Sequence, residues 1–529
     1  MSYWSLSFLV IFLPIVIILY NIIPKKYRWL VLLLSSYSFI WIISNKLIIY
    51  VLITTLITFL GGLWINKIQE KRNIELEKVE KEKKKELKQK YVKKQRLVLT
   101  FLSLLILGIL IVLKYSGFFI ENIDNLFKIL SIPIELKIPK FLMPVGISFY
   151  TLQAISYLID IYKEKIKADK NLGRIALFIS FFPQIMEGPI CRYSQTAEKI
   201  WKCEKTNYKN LTFGVQRIVF GFAKKTLIVD RVNAFLIEIF DNYGQYNGAI
   251  VALGMVIYTL QLYMDFSGTM DVVIGTAQIF GIELPENFKQ PFFSKSISDF
   301  WTRWHITLGT WFRDYIFYPV SLSNVCKKIT TKLRKKIGNY YGPLVASAIA
   351  LFCVWICNGL WHGAAWSFIF FGMYHFSLIL LGKIFSPLFE KTNKLLHINE
   401  KHFIYKGFQI VRTTILVCIG ELFFRANTLT DGINMFNKMI TEFSFNTFVD
   451  GSALQLGLDL QDFILIFVVI ILIFVISLIK EKGINIRESI ANKNIFVRWC
   501  LYYALILIII IFGTYGLGYV PLNPMYANF

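Results

Sequence analysis

Charge is missing from a long central part of this chain. From Ile337 to Gly382 there is no Asp, Glu, Lys or Arg. At about 1.5 Å per residue that run would make about 69 Å of helix, roughly two bilayer cores, so it predicts a pair of membrane spans. Histidine is scarce, with five in 529 residues. The seven cysteines include no C-x-x-C, and their odd number excludes a closed disulfide framework. Cys353 and Cys357 lie four apart on one helix face and read as small core fillers. The chain has no G-x-S-x-G, no H-E-x-x-H, no phosphate-binding loop and no paired catalytic carboxylates, so none of those chemistries is announced. It also lacks a soluble domain, an internal repeat and an extended low-complexity segment. The first apolar stretch, 5–23, has neither a basic leader nor a small-residue cleavage site, and reads as a retained helix.

What is abundant is apolar. The chain is 55% hydrophobic, with 47 Phe and a mean hydropathy of +0.54. This composition gives an all-α polytopic membrane protein, expected as one integral-membrane domain over 1–529. The net charge of +24 would suggest nucleic acid in a soluble protein. Here it reflects Lys and Arg collected in cytoplasmic loops, and no nucleic-acid partner is expected. Basic landmarks then set the topology. PKKYR at 24–28 and the charged insert 67–96, with thirteen Lys/Arg and six Asp/Glu, both face the cytoplasm. Two spans separated by a polar break at Ser44-Asn45-Lys46 fit between them. The insert itself reads as a solvated cytoplasmic hairpin or extended helix, with acidic-lipid or partner binding as the alternative. The apolar segment 174–190 is short and carries Pro183, Glu187, Gly188 and Pro189, so it is expected to re-enter and return inside protein. Basic chain flanks 300–320 on both sides, which makes that segment a second re-entrant or interfacial helix. The total is about twelve crossings plus these re-entrant pieces.

Two histidines stand inside apolar chain. An ionisable side chain there is a functional-site hypothesis by default. His362 lies near the junction of the 337–382 pair, one helical turn after Asn358, whose amide could fix the imidazole tautomer. Gly359 and Gly363 would let another helix approach closely. Trp361 and Trp366 could line a cavity. On a continuous helix His375 would be about 20 Å further along and outside that site. His305 lies in 300–320, where Trp301, Trp304, His305, Leu308, Trp311 and Phe312 would share one helical face. Asp299 and Arg303 are spaced to pair. Asp265 sits in an apolar span and needs a cation, for which Arg303 and Arg313 are candidates. A core histidine bonded to a backbone carbonyl remains an open reading of His362, and a tryptophan-anchored interfacial helix remains one for 300–320.

These segments together resemble the membrane-bound O-acyltransferase family, and most of all its bacterial alginate and peptidoglycan O-acetyltransferase branch. The resemblance rests on MPVGISFYTLQAISYLIDIY at 143–162, FFPQIMEGPICRY at 181–193, LQLYMDFSGTMDVVIG at 260–275 and LPENFKQPF at 284–292. SDFWTRWHITLGTWFRDYIFYP at 298–319, NGLWHGAAWSFIFFGMYH at 358–375 and ELFFRA at 421–426 complete it, so the core motifs cover 140–426. It implies a catalytic His362 and a second functional histidine, His305. Trp304, Trp311 and Arg313 would shape the donor entrance, Trp361 and Asn358 would flank His362, and Asp265 would be structural support. No bound cofactor or metal is implied. The acyl donor would be a cytoplasmic thioester, in the first instance acetyl-CoA. The acceptor would be a hydroxyl of an exported polysaccharide, reached directly or through an extracytoplasmic SGNH-type acetyltransferase partner, at the bacterial cytoplasmic membrane. Thr302 and Gly309 stand where Arg and Ser are expected, and Glu187 where a small residue is usual. These departures touch neither histidine and bear on acceptor and partner choice. The neighbouring reading is D-alanyl transfer from a carrier protein to teichoic acid. A transporter or flippase would require inverted repeats, and none is visible.

Overall fold

The computed structural model describes residues 1–139, 141–515 and 522. Among them the regular structure is helical, apart from one isolated bridge between Phe288 and Trp304. Among the described residues, eight helical segments are long and apolar enough to cross a membrane. This is an all-α polytopic membrane protein.

Contacts divide the chain into two compact units. Among the described residues, the first contains Met1–Ile218 and Val272–Pro285, and the second Val219–Asp271 and the chain from Glu286 onward. In the first unit, α1 (Leu13–Ile22) and α2 (Arg28–Ser44) precede α3 (Ile48–Glu77) and α4 (Lys81–Ile129). The polar break between α2 and α3 falls where expected, with Asn45 at φ +49°. The charged insert is the tip of the α3–α4 helical hairpin, turning at residues 78–80. Next come α5 (Ile147–Tyr162), α6 (Leu172–Ser180), α7 (Tyr193–Lys202) and α8 (Tyr208–Lys224), the last running into the second unit. After α6 the chain leaves helical geometry, and every residue from Phe181 to Arg192 is buried. Protein thus surrounds the irregular backbone around Gly188, the condition that a re-entrant segment requires. Glu187 and Arg192 are both buried in it.

The second unit positions the site. A π-helical turn, Lys225–Val229, leads to α9 (Asn233–Asp241) and α10 (Gly248–Ile279), whose last turns belong to the first unit. The segment expected as one helix over 300–320 is instead broken. It comprises α11 (Ile297–Arg303), α12 (Ile306–Phe312), a π-helical turn Arg313–Phe317 and α13 (Tyr318–Ser321). Next is α14 (Asn324–His362), interrupted at Gly338 with φ +87°, a conformation that costs glycine little. Its second piece, 339–362, rises about 36 Å, close to a hydrocarbon thickness. After a three-residue turn, α15 (Trp366–Ile384) runs back along it. This is the expected pair of spans with His362 at the junction. Then follow α16 (Ser386–Leu395), α17 (Phe403–Arg425), α18 (Leu429–Thr441), α19 (Leu460–Glu481), α20 (Ile486–Ala491) and α21 (Ile495–Phe512). The anticipated last span, 498–516, lies on α21 apart from its final residues, and residue 516 is outside the described residues.

Glycines set the α14–α15 contact. A Cβ at Gly359 would stand 2.5 Å from the Phe368 carbonyl oxygen, and one at Gly372 would strike the Trp355 carbonyl. The two backbones therefore touch through Gly359 and Gly372. Gly363 plays a different part from the expected second packing glycine: it ends α14, with the Phe368 ring over it.

Candidate active site

His362 is the last residue of α14 and is 5% exposed. Its ring meets Trp361 at 4.9 Å, Phe424 of α17 at 5.0 Å and Phe371 of α15 at 6.0 Å. Three helices thus hold one imidazole among aromatic rings. Asn358 is buried one turn earlier, but its carboxamide oxygen accepts no hydrogen bond. The expected clamp on the His362 tautomer is not made through that atom.

His305 owes its position to the break in 300–320. Its own backbone is left-handed, φ +46° and ψ +50°, an unfavourable conformation for a side-chain-bearing residue. Tertiary hydrogen bonds hold it there. Lys289 N–H donates to the Arg303 carbonyl at 2.9 Å, and Ile306 N–H donates to the Asn287 carbonyl at 3.1 Å. The Asn287 side-chain oxygen accepts from Thr307 N–H at 3.0 Å and from the Thr307 hydroxyl at 2.9 Å. Asn287 therefore caps α12 from a distant stretch of chain, satisfying donors that a helix start leaves open. The same oxygen lies 3.4 Å from His305 Nδ1. A carbonyl oxygen only accepts, so this bond puts the proton on Nδ1 and leaves the Nε2 lone pair as the basic position.

The break overturns the single apolar face expected for 300–320. Trp304 and His305 diverge. Trp304 enters an aromatic cluster with Tyr263, Phe288, Phe292 and Phe300. His305, 3% exposed, turns to Phe266 at 4.8 Å and Trp361 at 5.4 Å. Trp301 goes elsewhere again, against Trp355 and His375. Trp311 is buried against Phe312 and Tyr315. Arg313 is half exposed and pairs with its neighbour Asp314 at 3.1 Å. Trp366 is 54% exposed.

One residue joins the two histidines. The rings of His305 and His362 both lie against Trp361, at 5.4 and 4.9 Å, so their centres are at most about 10 Å apart. His375 is nearer than a continuous helix would put it, because the chain folds back after His362. It shares the Phe371 ring with His362, at 4.8 and 6.0 Å. It is fully buried, stacked on Trp355, and neither ring nitrogen has a hydrogen-bond partner.

Asp265 is neutralised, but by neither expected arginine. Lys225 reaches it at 3.3 Å and also pairs with Asp230 at 3.1 Å, all three nearly inaccessible. Lys224 pairs with Asp271 at 2.7 Å and bonds the Ser267 hydroxyl at 3.0 Å. Arg303 instead forms the anticipated pair with Asp299 at 2.9 Å and a second with Glu481 at 3.0 Å. The LQLYMDFSGTMD segment is thereby tied to the turn Lys225–Val229. One buried ammonium between two carboxylates offsets the cost of keeping them from water. The Lys225 partnership and the capping role of Asn287 went unrecognised in the sequence. The only local sign of the second was the LPENF stretch.

A membrane-bound O-acyltransferase family model matches residues 163–333, which include Asp265, Asn287 and His305. The chain is 31% identical over 442 residues to a probable alginate O-acetylase of Pseudomonas syringae pv. tomato, covering 83% of this chain and 75% of that one. This chain belongs to the membrane-bound O-acyltransferase family. Among its other relatives, a peptidoglycan O-acetyltransferase of Helicobacter pylori is 29% identical, over 62% of this chain and 61% of that one. A teichoic acid D-alanyltransferase of Bacillus subtilis is 34% identical, over 47% of this chain and 60% of that one. This membrane-bound O-acyltransferase is therefore an enzyme, and the transporter reading is set aside.

Proposed function

We propose that the chain moves an acetyl group from acetyl-CoA, on the cytoplasmic side of a bacterial cytoplasmic membrane, to a hydroxyl presented on the other side. The carrying observation is the pair of buried imidazoles, His305 and His362, both against Trp361. His362 accepts the proton of the acceptor hydroxyl as its oxygen attacks the thioester carbonyl. The carbon–sulfur bond then breaks, the thiolate departs, and the new oxygen ester forms. General-base help of this kind contributes about 10² to 10⁴ in rate. His305, with Nε2 as its basic nitrogen, lines the donor side of Trp361. Trp304, Trp311 and Arg313 belong to the segment that shapes that entrance, and Asp265 supports it through Lys225. The acceptor is an exported polysaccharide, or an extracytoplasmic SGNH-type acetyltransferase that passes the acetyl group on to one. The names of the alginate and peptidoglycan relatives support this substrate class.

Labelled acetyl-CoA supplied to inside-out vesicles tests the reading. Label should pass to glycan or partner protein, and His362→Ala should abolish transfer while the protein still inserts. Undiminished transfer by that variant would remove His362 as the base. The Bacillus subtilis relative supports a second reading, D-alanyl transfer from a carrier protein. The same vesicles separate the two by which donor they accept.

A further inference from the structure

The first piece of α14 fits none of the roles above. From Tyr315 to Phe389 the chain has no Asp or Glu, yet Lys327, Lys328, Lys332, Arg334, Lys335 and Lys336 crowd into ten positions. The five lysines are exposed and, with Thr331, line one shallow groove. None of the six basic groups makes an ion pair among the described residues. Placed on a helix, the six fall together on one side. Cys326, Ile329, Leu333 and Ile337 fall on the other. The apolar side is only partly covered by protein: Cys326 is buried and Ile329 and Leu333 are half-buried, while Ile337 is 45% exposed.

Its level relative to the span is also fixed. The chain bends at Gly338, and just beyond it the Tyr340 and Tyr341 hydroxyls donate to the carbonyls of Lys383 and Ile384, at 2.6 and 3.3 Å. Both ends of the α14–α15 pair thus meet at one tyrosine-marked level, where amphipathic rings favour the membrane–water boundary. The basic helix begins where the hydrocarbon ends.

We propose that residues 324–337 form an interfacial helix that binds the headgroups of anionic phospholipids. Loop charge bias accounts for lysines here, but not for the half-buried Ile329 and Leu333 and the exposed Ile337 on the opposite side of the same short helix. In acyl chains those side chains are favourable, and the lysines then stand at phosphate height. A row of ammonium groups with Thr331 as its one neutral polar member suits a sheet of phosphates better than a single soluble ligand. Helix α14, of which this is the first piece, packs on α13 and on the turn Arg313–Phe317, so bound lipid bears on the segment that carries His305.

Binding is read without turnover, so the result stands apart from the proposed reaction. The purified full chain is titrated with phosphatidylglycerol and with phosphatidylcholine, and bound lipid is counted by native mass spectrometry. Phosphatidylglycerol should bind preferentially and weaken as salt rises. Lys332→Gln with Lys335→Gln should lower its affinity about thirtyfold. Lys167→Gln with Lys170→Gln, on the exposed loop after α5, should leave it unchanged. Equal binding of the two lipids, or equal loss from the two double variants, would overturn the proposal. So would binding of coenzyme A without lipid that depends on Lys332 and Lys335 in the same way, since the groove would then serve a soluble phosphate donor.

Discussion

Gly359→Ala is the sharpest test of how the His305–His362 pair is built. The new methyl carbon would stand 2.5 Å from the Phe368 carbonyl oxygen and 3.2 Å from the Ile369 Cα, both backbone atoms that no rotamer change can move. Ordinary contact begins near 3.4 Å, so α14 and α15 must separate locally by about 0.9 Å. Overpacking of this kind costs about 1–3 kcal/mol. Alanine returns about 1 kcal/mol through helix propensity, leaving a net loss of about 2 kcal/mol at most. Activity should suffer far more than stability. His362 is three residues on, and Phe371 of α15 forms part of its cage. A shift near 1 Å at a reacting group costs about a hundredfold in rate. Acyl transfer by the purified variant, measured beside its thermal unfolding, should show that disproportion. Gly382→Ala on the same helix pair meets nothing within 4 Å and should leave both quantities unchanged or slightly improved. Full activity in Gly359→Ala would show that the backbone contact does not set the His362 position.

Lys225→Met should be among the most damaging changes in the second unit. It leaves Asp230 and Asp265 buried without their ammonium, a loss of about 3–5 kcal/mol, visible as a collapse in folded yield on size-exclusion chromatography. His375→Phe should raise the unfolding temperature, because it replaces two unbonded buried nitrogens with apolar atoms. A lower temperature would mean that the imidazole has a partner supplied from outside the chain. Arg72 and Glu164 in the first unit give a pH test. The hydrogen bond from Arg72 holds the Glu164 carboxyl below its ordinary value of 4.5. A depressed carboxyl stabilises the fold above that value, and the contribution fades as pH falls through the folded one. The stability difference between the native protein and Arg72→Gln should therefore narrow below about pH 4.5. A difference that stays constant from neutral pH to below that point would refute the coupling.

Much of this architecture was legible because a bilayer turns composition into length. A charge-free run of two membrane thicknesses must fold into two spans, and His362 lies where the turn has to come. The polar triplet at 44–46 could only separate two helices, and the mixed charges of 67–96 called for a solvated hairpin or extended helix, which the turn at 78–80 settles as a hairpin. Pairing of Asp299 with Arg303 followed from helical spacing alone. The amino-acid order could not disclose where a distant backbone would intervene. Periodicity favours a continuous helix through Trp304 and His305, but residues 287–289 supply hydrogen bonds that outweigh one left-handed residue, and the two side chains part. Asp265 announced that it needed a cation, and only the packing of α10 on the turn Lys225–Val229 decided that Lys225 would provide it. The nearness of His375 to His362, and of both histidines to single shared rings, arises from helices crossing at Gly359 and Gly372. Local sequence sets the length and polarity of each helix. The distances within the site are set by side chains that meet only after those helices pack.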